Sequence, residues 1–192
     1  MVDIKEVIDL INIHPLKIKN IYLYGSRVYE TQHSNSDYNI LVVANYMTEK
    51  FEINTGKYNI QIHTPQKFRR DLDAHDIFNL ECIFAPENAR LQEKINYKKK
   101  FKLNKNKFKK TIIAQANTAW INGQNNELMA KKAIFNTIKT LHFGKQVLLN
   151  GEIKDYTEAN YIWNELKKCK GDIFLKYIKL KNDMEQEILK IK

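Results

Sequence analysis

Apolar positions near the start of the chain recur at helical spacing, at Ile4, Val7, Ile8 and Ile11. Asp3 and Glu6 stand before and within this stripe as a capping box, so the pattern predicts an amphipathic helix that ends before Pro15. The period then changes. Ile18 to Tyr24, with Ile21 and Leu23 among aromatic and β-branched neighbours, reads as a strand that Gly25 turns sharply. Ser26 is placed to cap a short helix over Arg27 to Gln32, and the polar stretch His33-Ser34-Asn35-Ser36 is a loop. Asp37 to Ala44 is a nearly continuous apolar run, as in a buried strand. Phe51-Glu52-Ile53 and Tyr58 to His63 flank Asn54-Thr55-Gly56, a hairpin signal. Thr64 then caps a helix with Pro65 in its first turn and Phe68 and Leu72 on its inner side, and Asp76 to Phe84 forms another that stops ahead of Pro86.

Past the middle of the chain only the helical period remains. Lys107 to Ile121 carries Ile112, Ile113, Ala116 and Trp120 and is expected to end at Gly123. Glu127 to Leu149 repeats Ile134, Ile138, Leu141 and Leu148 and is stopped by Gly151, with Phe135 and Phe143 as core residues. Tyr161, Ile162 and Leu166 mark a further helix, and Ile173 to Ile191 a last one with Leu175, Ile178 and Leu189. The charged tail, Lys181 to Lys192, is expected to fray. The fold class is therefore α/β (α+β): a mixed sheet with flanking helices over residues 1–95, a basic connector over 96–110, and an α-helical bundle over 111–192, sheet and bundle forming a cleft.

Composition narrows the class. A chain of 192 residues with 43% hydrophobic content suffices for a packed core. Cys82 and Cys169 lie far apart in apparently helical apolar segments, which suggests buried thiols in a reducing compartment. No apolar run approaches a bilayer span, so no membrane partner and a cytoplasmic location are expected. His14 and His75, beside helix ends, and His63, closing a strand, read as capping or solvated residues, and no His and Cys pair has metal-site spacing. The formal net charge is +10, which raises the odds of a polyanionic partner. From Lys94 to Lys110 there is no acid. Lys98, Lys99, Lys100, Lys102 and Lys105 stand there with Tyr97, Phe101 and Phe108, able to neutralise RNA phosphates and stack bases. The same segment also reads as a plain lysine-rich connector.

Candidate chemistry centres on Leu23-Tyr24-Gly25-Ser26-Arg27, followed ten residues on by Ser36-Asp37-Tyr38-Asn39-Ile40-Leu41-Val42-Val43. A Gly-Ser turn with unpaired N–H groups, a hydroxyl and a guanidinium beside it attracts phosphate oxygens. Strand residues two apart share a face, so Asp37 and Asn39 point the same way.

Tyr24-Gly25-Ser26-Arg27, Tyr29, Thr31 and Ser36-Asp37-Tyr38 resemble the signature of the DNA polymerase β nucleotidyltransferase superfamily. Within it the chain is most similar to a group of phage, viral and bacterial proteins that includes RNA-repair-associated nucleotidyltransferases, which would place it in a host cytoplasm. The resemblance continues at Lys67-Phe68, at Leu80 to Pro86, and from Lys131-Lys132 through Gly151 to Tyr156. It implies a nucleoside triphosphate as substrate, Mg²⁺ or Mn²⁺ as cofactor, and nucleotidyl transfer to an acceptor hydroxyl, an RNA end foremost. Gly25, Ser26 and Arg27 would hold the phosphates, Lys131 and Lys132 would meet them, and Asp37 with position 39 would ligate the cation.

The sequence departs from that pattern at the chemistry itself. Asn39 stands where the family has a second Asp. The third carboxylate would fall within Tyr58 to His63, which offers only Asn59 and Gln61. Asn39 alone would suit a substitution made to trap substrate, whereas the missing third acid suits a natural site that has changed. A neutral amide can bind Mg²⁺ through its carbonyl oxygen, but it withdraws a full negative charge from a site that holds ions largely by charge. Three functions follow: transfer to RNA in an impaired form, a catalytically silent nucleotide- or RNA-binding module, or nucleotidylation of a protein or small molecule. The positive charge argues against a cationic antibiotic as acceptor.

Overall fold

The computed structural model of the chain describes residues 2–48, 50–125 and 129–192. It separates into two compact units, Met1–Ala74 with Phe78–Lys102, and His75–Ile77 with Leu103–Lys192.

The first unit is built on a five-stranded mixed sheet. Its strands are β1 (Ile18–Tyr24), β2 (Tyr38–Ala44), β3 (Lys50–Asn54), β4 (Tyr58–His63) and β5 (Arg90–Glu93), in the order β3-β4-β2-β1-β5. Only β2 and β4 run parallel; the other three pairings are antiparallel. The hairpin expected around Gly56 joins β3 to β4, with Gly56 at φ 80° and the Thr55 N–H donating to the Tyr58 carbonyl at 2.9 Å. β5 was not anticipated by the hydrophobic pattern. Its four residues are all half-buried, and it takes its strand form from pairing with β1.

One face of the sheet is apolar. Val7 and Ile11 of helix α1 (Ile4–Ile11) cover Ile21, Ile40, Val42, Ile60 and Ile62, with Ile4, Ile8 and Leu23 at the margin. The Asp3 carboxylate accepts from the N–H groups of Lys5 (2.9 Å) and Glu6 (3.2 Å), as a cap should. The capping box is only half formed, because the Glu6 side chain accepts from Lys57 and from the Tyr58 hydroxyl instead. Short helix α2 (Ser26–Tyr29) follows β1. The opposite face carries α3 (Pro65–Asp73) and α4 (Ile77–Phe84). The Phe68 ring stacks on Tyr22 at 5.9 Å, and Phe78 meets the Tyr24 ring edge-on at 4.7 Å. Thr64 caps α3 as expected, accepting from Lys67 at 3.1 Å.

The second unit is helical: α5 (Lys105–Gln124), α6 (Ala130–Asn150), α7 (Asn160–Lys168) and α8 (Ile173–Lys190). The start expected at Glu127 lies outside the described residues; Gly151, at φ 77°, ends α6 as anticipated. Phe135 and Phe143 are core residues, packed on Trp163 and Tyr156. α5 ends at Gln124, one residue past the expected Gly123, but the glycine is not its cap. It lies within the helix, where a Cβ would fall 2.2 Å from the Ala133 Cβ, so the glycine permits two helices to approach. Gly144 plays the same part against Ile112, at 2.5 Å. In α8 the buried stripe is Ile173, Tyr177, Lys181, Met184 and Ile188, while Leu175 and Leu189 face solvent, contrary to the sequence expectation. The tail is not frayed either: α8 runs to Lys190, and the Lys109 ammonium donates to the carbonyls of Leu189 (3.1 Å) and Ile191. Such cations complement a helix C-terminus. Among the described residues, no helix is long and apolar enough to cross a membrane.

Both cysteines are free thiols. Cys82 is buried in α4, but Cys169 is only half-buried, at the C-terminal end of α7, and accepts from Lys176 at 3.3 Å.

Candidate functional site

The ladder registers bring the candidate residues of the first unit onto one sheet face. Tyr24 pairs with Asn39, Asn39 with Asn59, and Asn59 with Asn54, a polar row across four strands. The next row runs Tyr22, Leu41, Gln61, Glu52. By the alternation of strand side chains these rows face away from α1. Asp37 immediately precedes β2 and lies half-buried beside the first row, with its Oδ1 3.4 Å from the Asn39 Nδ2.

Gly25 closes the corner. Its backbone is at φ 82° and ψ −156°, a conformation in practice reserved for glycine. A Cβ built there would lie 3.2 Å from the Asn39 Nδ2, so the turn sits directly on the amide of position 39. Helix α2 begins at Ser26 and ends at Tyr29, shorter than expected. Gly25 rather than Ser26 is its N-cap residue, and the Ser26 hydroxyl makes no capping bond. Arg27 turns back over the loop before β2: its Nε donates to the Asp37 carbonyl at 3.2 Å, another N–H donates to the Ser36 carbonyl, and its guanidinium lies 3.8 Å over the Tyr38 ring. The guanidinium therefore clamps the backbone that presents Asp37.

The electrostatics of the face follow from its burial. Burial pushes the Tyr24 hydroxyl well above its ordinary pKa, and the nearby thiol of Cys82 and carboxylates of Glu52 and Asp37 push the same way. Glu52 was not among the candidates from sequence. It stands on an exposed edge strand, and only its register with Gln61 brings it to this side. His63, at the end of β4, is 4% exposed with neither ring nitrogen hydrogen-bonded, which corrects its expected solvated or capping role. Burial foremost, then the Lys67 ammonium, lower its pKa to about 4, against a smaller opposing pull from Asp71. His14 does cap, accepting from the Leu16 N–H. His75 is buried rather than solvated and accepts from the N–H of Asn104, the N-cap of α5.

The oxygens present do not fit a two-cation centre. Among the described residues Asp37 is the one carboxylate bonded to Asn39, with the amides of Asn59 and Gln61 on the neighbouring strand and Glu52 opposite Gln61 in the next row. Of these, the Asn59 Oδ1 is buried without a hydrogen-bond partner. Among the described residues no three of His, Cys, Asp and Glu come together as a metal-binding group. Mg²⁺ held by protein oxygen relies on carboxylate charge, and one such group is too few to hold two ions against their hydration.

Lys131 and Lys132 occupy the first turn of α6, in the second unit, with Lys132 exposed. Lys98, Lys99 and Lys100 form a 3-10 turn in the first unit, whose last residue is Lys102. Lys105 belongs to the second unit, where it begins α5 and its ammonium donates to the Lys192 carbonyl at 2.7 Å.

No family model matches the chain, and no curated protein matches it. Among solved structures it is similar to a nucleotidyltransferase-like protein from Exiguobacterium sibiricum, with 13% sequence identity and a TM-score of 0.34 over 96% of this chain and 72% of that one. The mixed five-stranded sheet of the first unit and the helices of the second define, by themselves, an α+β protein.

Proposed function

We propose that this chain is a nucleotidyltransferase-fold protein that binds a nucleoside triphosphate at the corner between Gly25 and Asp37, and that it is a binding module rather than a two-cation transferase. One observation carries the reading. The glycine turn closes directly on position 39, beside Asp37, which supports a triphosphate corner there, while the residue it closes on is an amide. The neighbouring strand, where the resemblance expects one further acid, offers only the amides Asn59 and Gln61. Phosphates are bound there by the backbone of Gly25 and Ser26, and Arg27 holds the loop carrying Asp37 in place. RNA is the macromolecular partner, met by Lys98, Lys99, Lys100 and Lys102.

A second reading, a working Mg²⁺-dependent transferase acting on an RNA end, is favoured by Glu52, which places a second carboxylate on the same face. One assay separates the two. Each labelled NTP is incubated with Mg²⁺ and total RNA, alongside the parent chain or its Asn39→Asp variant, and both retention of nucleotide and transfer of label are counted. The binding-module reading expects retention without transfer by the parent. Transfer by the parent overturns it in favour of the transferase, and absence of retention, with or without Mg²⁺, overturns both.

A further inference from the structure

The first unit holds a second polar hollow, lined by none of the residues at the Asp37 corner. It has a volume of about 370 Å³ and lies between α3 and the segment after β5, bounded by Arg69, Leu72, Asp73, Tyr97, Lys100 and Phe101. A similar hollow, of about 360 Å³, adjoins it along α3 and shares Arg69 and Asp73.

Three donors at this place are unspent. Tyr97 is 1% exposed, its ring held edge-on against Phe68 at 4.8 Å, and its hydroxyl is buried with no hydrogen-bond partner. A buried polar atom left unpaired is uncommon and calls for a specific reason. The positive charge of Arg69 acts on that hydroxyl, opposing the rise that burial imposes on its pKa. Among the described residues neither the Arg69 guanidinium nor the Lys100 ammonium bonds to a protein acceptor. The nearby Lys67 is spent, because it is paired with Asp71 at 2.5 Å. The floor is apolar, formed by Leu72 and the half-buried ring of Phe101. Two cations against the one carboxylate of Asp73, with a neutral hydroxyl donor lining the same hollow, make a site for an anion having several acceptor oxygens.

We propose that this hollow binds a backbone phosphate of single-stranded RNA, with Arg69 and Lys100 supplying the charge, the Tyr97 hydroxyl donating to a phosphate oxygen, and Phe101 offering a ring to the adjacent base. Continuity with Lys98, Lys99 and Lys102 is what selects a polymer over a free anion, since a chain of phosphates engages neighbouring cations at once. The site rests on RNA being the partner of the basic segment and is independent of nucleotide binding at Asp37.

The test measures anisotropy of a labelled twelve-nucleotide oligouridylate bound to the whole chain over a range of salt. Tyr97→Phe keeps the ring and its packing, so a thermal melt like that of the parent is expected together with about fivefold weaker binding. Arg69→Gln and Lys100→Gln are each expected to lower the slope of log affinity against log salt by about 0.7, the single-strand value for one phosphate contact. Lys17→Gln removes an equal charge at an exposed position away from the hollow and is expected to leave affinity unchanged. Parent-like binding by Tyr97→Phe and Arg69→Gln overturns the pocket while leaving RNA as a partner, and so does an equal loss in Lys17→Gln. No binding by the parent overturns both the pocket and the RNA partner. Binding of inorganic phosphate that depends on Tyr97, without binding of RNA, assigns the hollow to a free anion and overturns the polymer.

Discussion

Asn39 on β2 and Asn59 on β4 are direct partners in the parallel ladder, so two uncharged amides stand side by side where an ion-binding face would carry acids. The sheet gains from this arrangement. Two carboxylates at adjacent register positions would repel unless a cation lay between them.

Asn39→Asp therefore carries a cost that depends on cation. With its carboxylate beside Asp37, the variant is expected to be less stable than the parent by about 1–2 kcal/mol in the absence of divalent ions, the scale of a half-buried like-charge pair. Millimolar Mg²⁺ is expected to restore its melting temperature while leaving that of the parent unchanged. Equal responses of the two proteins to Mg²⁺, read by a thermal melt, would contradict the account of position 39.

Gly25 and Gly56 differ in what surrounds them. Both have positive φ, 82° and 80°, but a Cβ at Gly25 would press on Asn39, whereas one at Gly56 meets nothing within 4 Å. Gly56→Ala is expected to cost about 1 kcal/mol, from backbone strain alone. Gly25→Ala adds crowding against Asn39 to a backbone at ψ −156° that glycine alone adopts freely, and is expected to cost about 1–2 kcal/mol more and to abolish retention of labelled NTP. Urea denaturation of the two variants gives the difference directly; equal losses would mean that the contact with Asn39 carries no weight.

Arg27 is a clamp in this structure, so its charge alone should not replace it. Lysine lacks both the flat face that lies on Tyr38 and the fork that reaches the carbonyls of Ser36 and Asp37. Arg27→Lys is expected to lose about 1 kcal/mol of stability and to bind nucleotide as weakly as Arg27→Ala. Binding by Arg27→Lys that matches the parent would instead make Arg27 a simple phosphate counter-charge.

The strands that position this corner were legible because their signals are local: a β-branched run, a glycine turn, a hairpin with Gly56. The corner itself was partly legible, since Asp37 directly precedes the strand that carries Asn39 and the alternation of side chains two apart sets their common side. Glu52 was not, because it reaches that side only through its pairing with β4, and an edge strand facing water gives no pattern to predict its register. β5 escaped for a related reason, as Arg90 to Glu93 is polar along most of its length and exists as a strand only beside β1. Gly123 marked the end of α5 to within one residue, but for a reason other than capping. A glycine after an apolar helical run reads as a stop, and nothing local reveals that Ala133 would fill the space of its missing side chain. In α8 several apolar stripes were available on one helix, and the packing of its neighbours chose Tyr177 and Ile188 over Leu175 and Leu189.

His63 gives the protein a pH dependence of known sign. In the folded chain its pKa is lowered to about 4 by burial and by Lys67, whereas the unfolded chain titrates near the ordinary 6.5. Between those values the unfolded state holds more protons, so stability is fully present above pH 6.5 and is lost as the pH falls toward 4. The loss is on the order of 2–3 kcal/mol over the whole window, from about 1.4 kcal/mol per pKa unit. Carboxylates titrate over part of the same range, so the contribution of His63 is read by difference. His63→Leu leaves no ring nitrogen to protonate and forfeits no hydrogen bond; it removes only a long approach of Nδ1 to the Asp71 carboxylate at 4.0 Å. Its stability at pH 7.5 is expected to lie within about 1 kcal/mol of the parent, close to the cost of a shape change in the core. At pH 5 the variant is expected to be the more stable of the two, by about 1–2 kcal/mol. Urea midpoints at the two pH values measure this crossover, and parallel losses in parent and variant would show that His63 is protonated as readily in the folded chain as in the unfolded one.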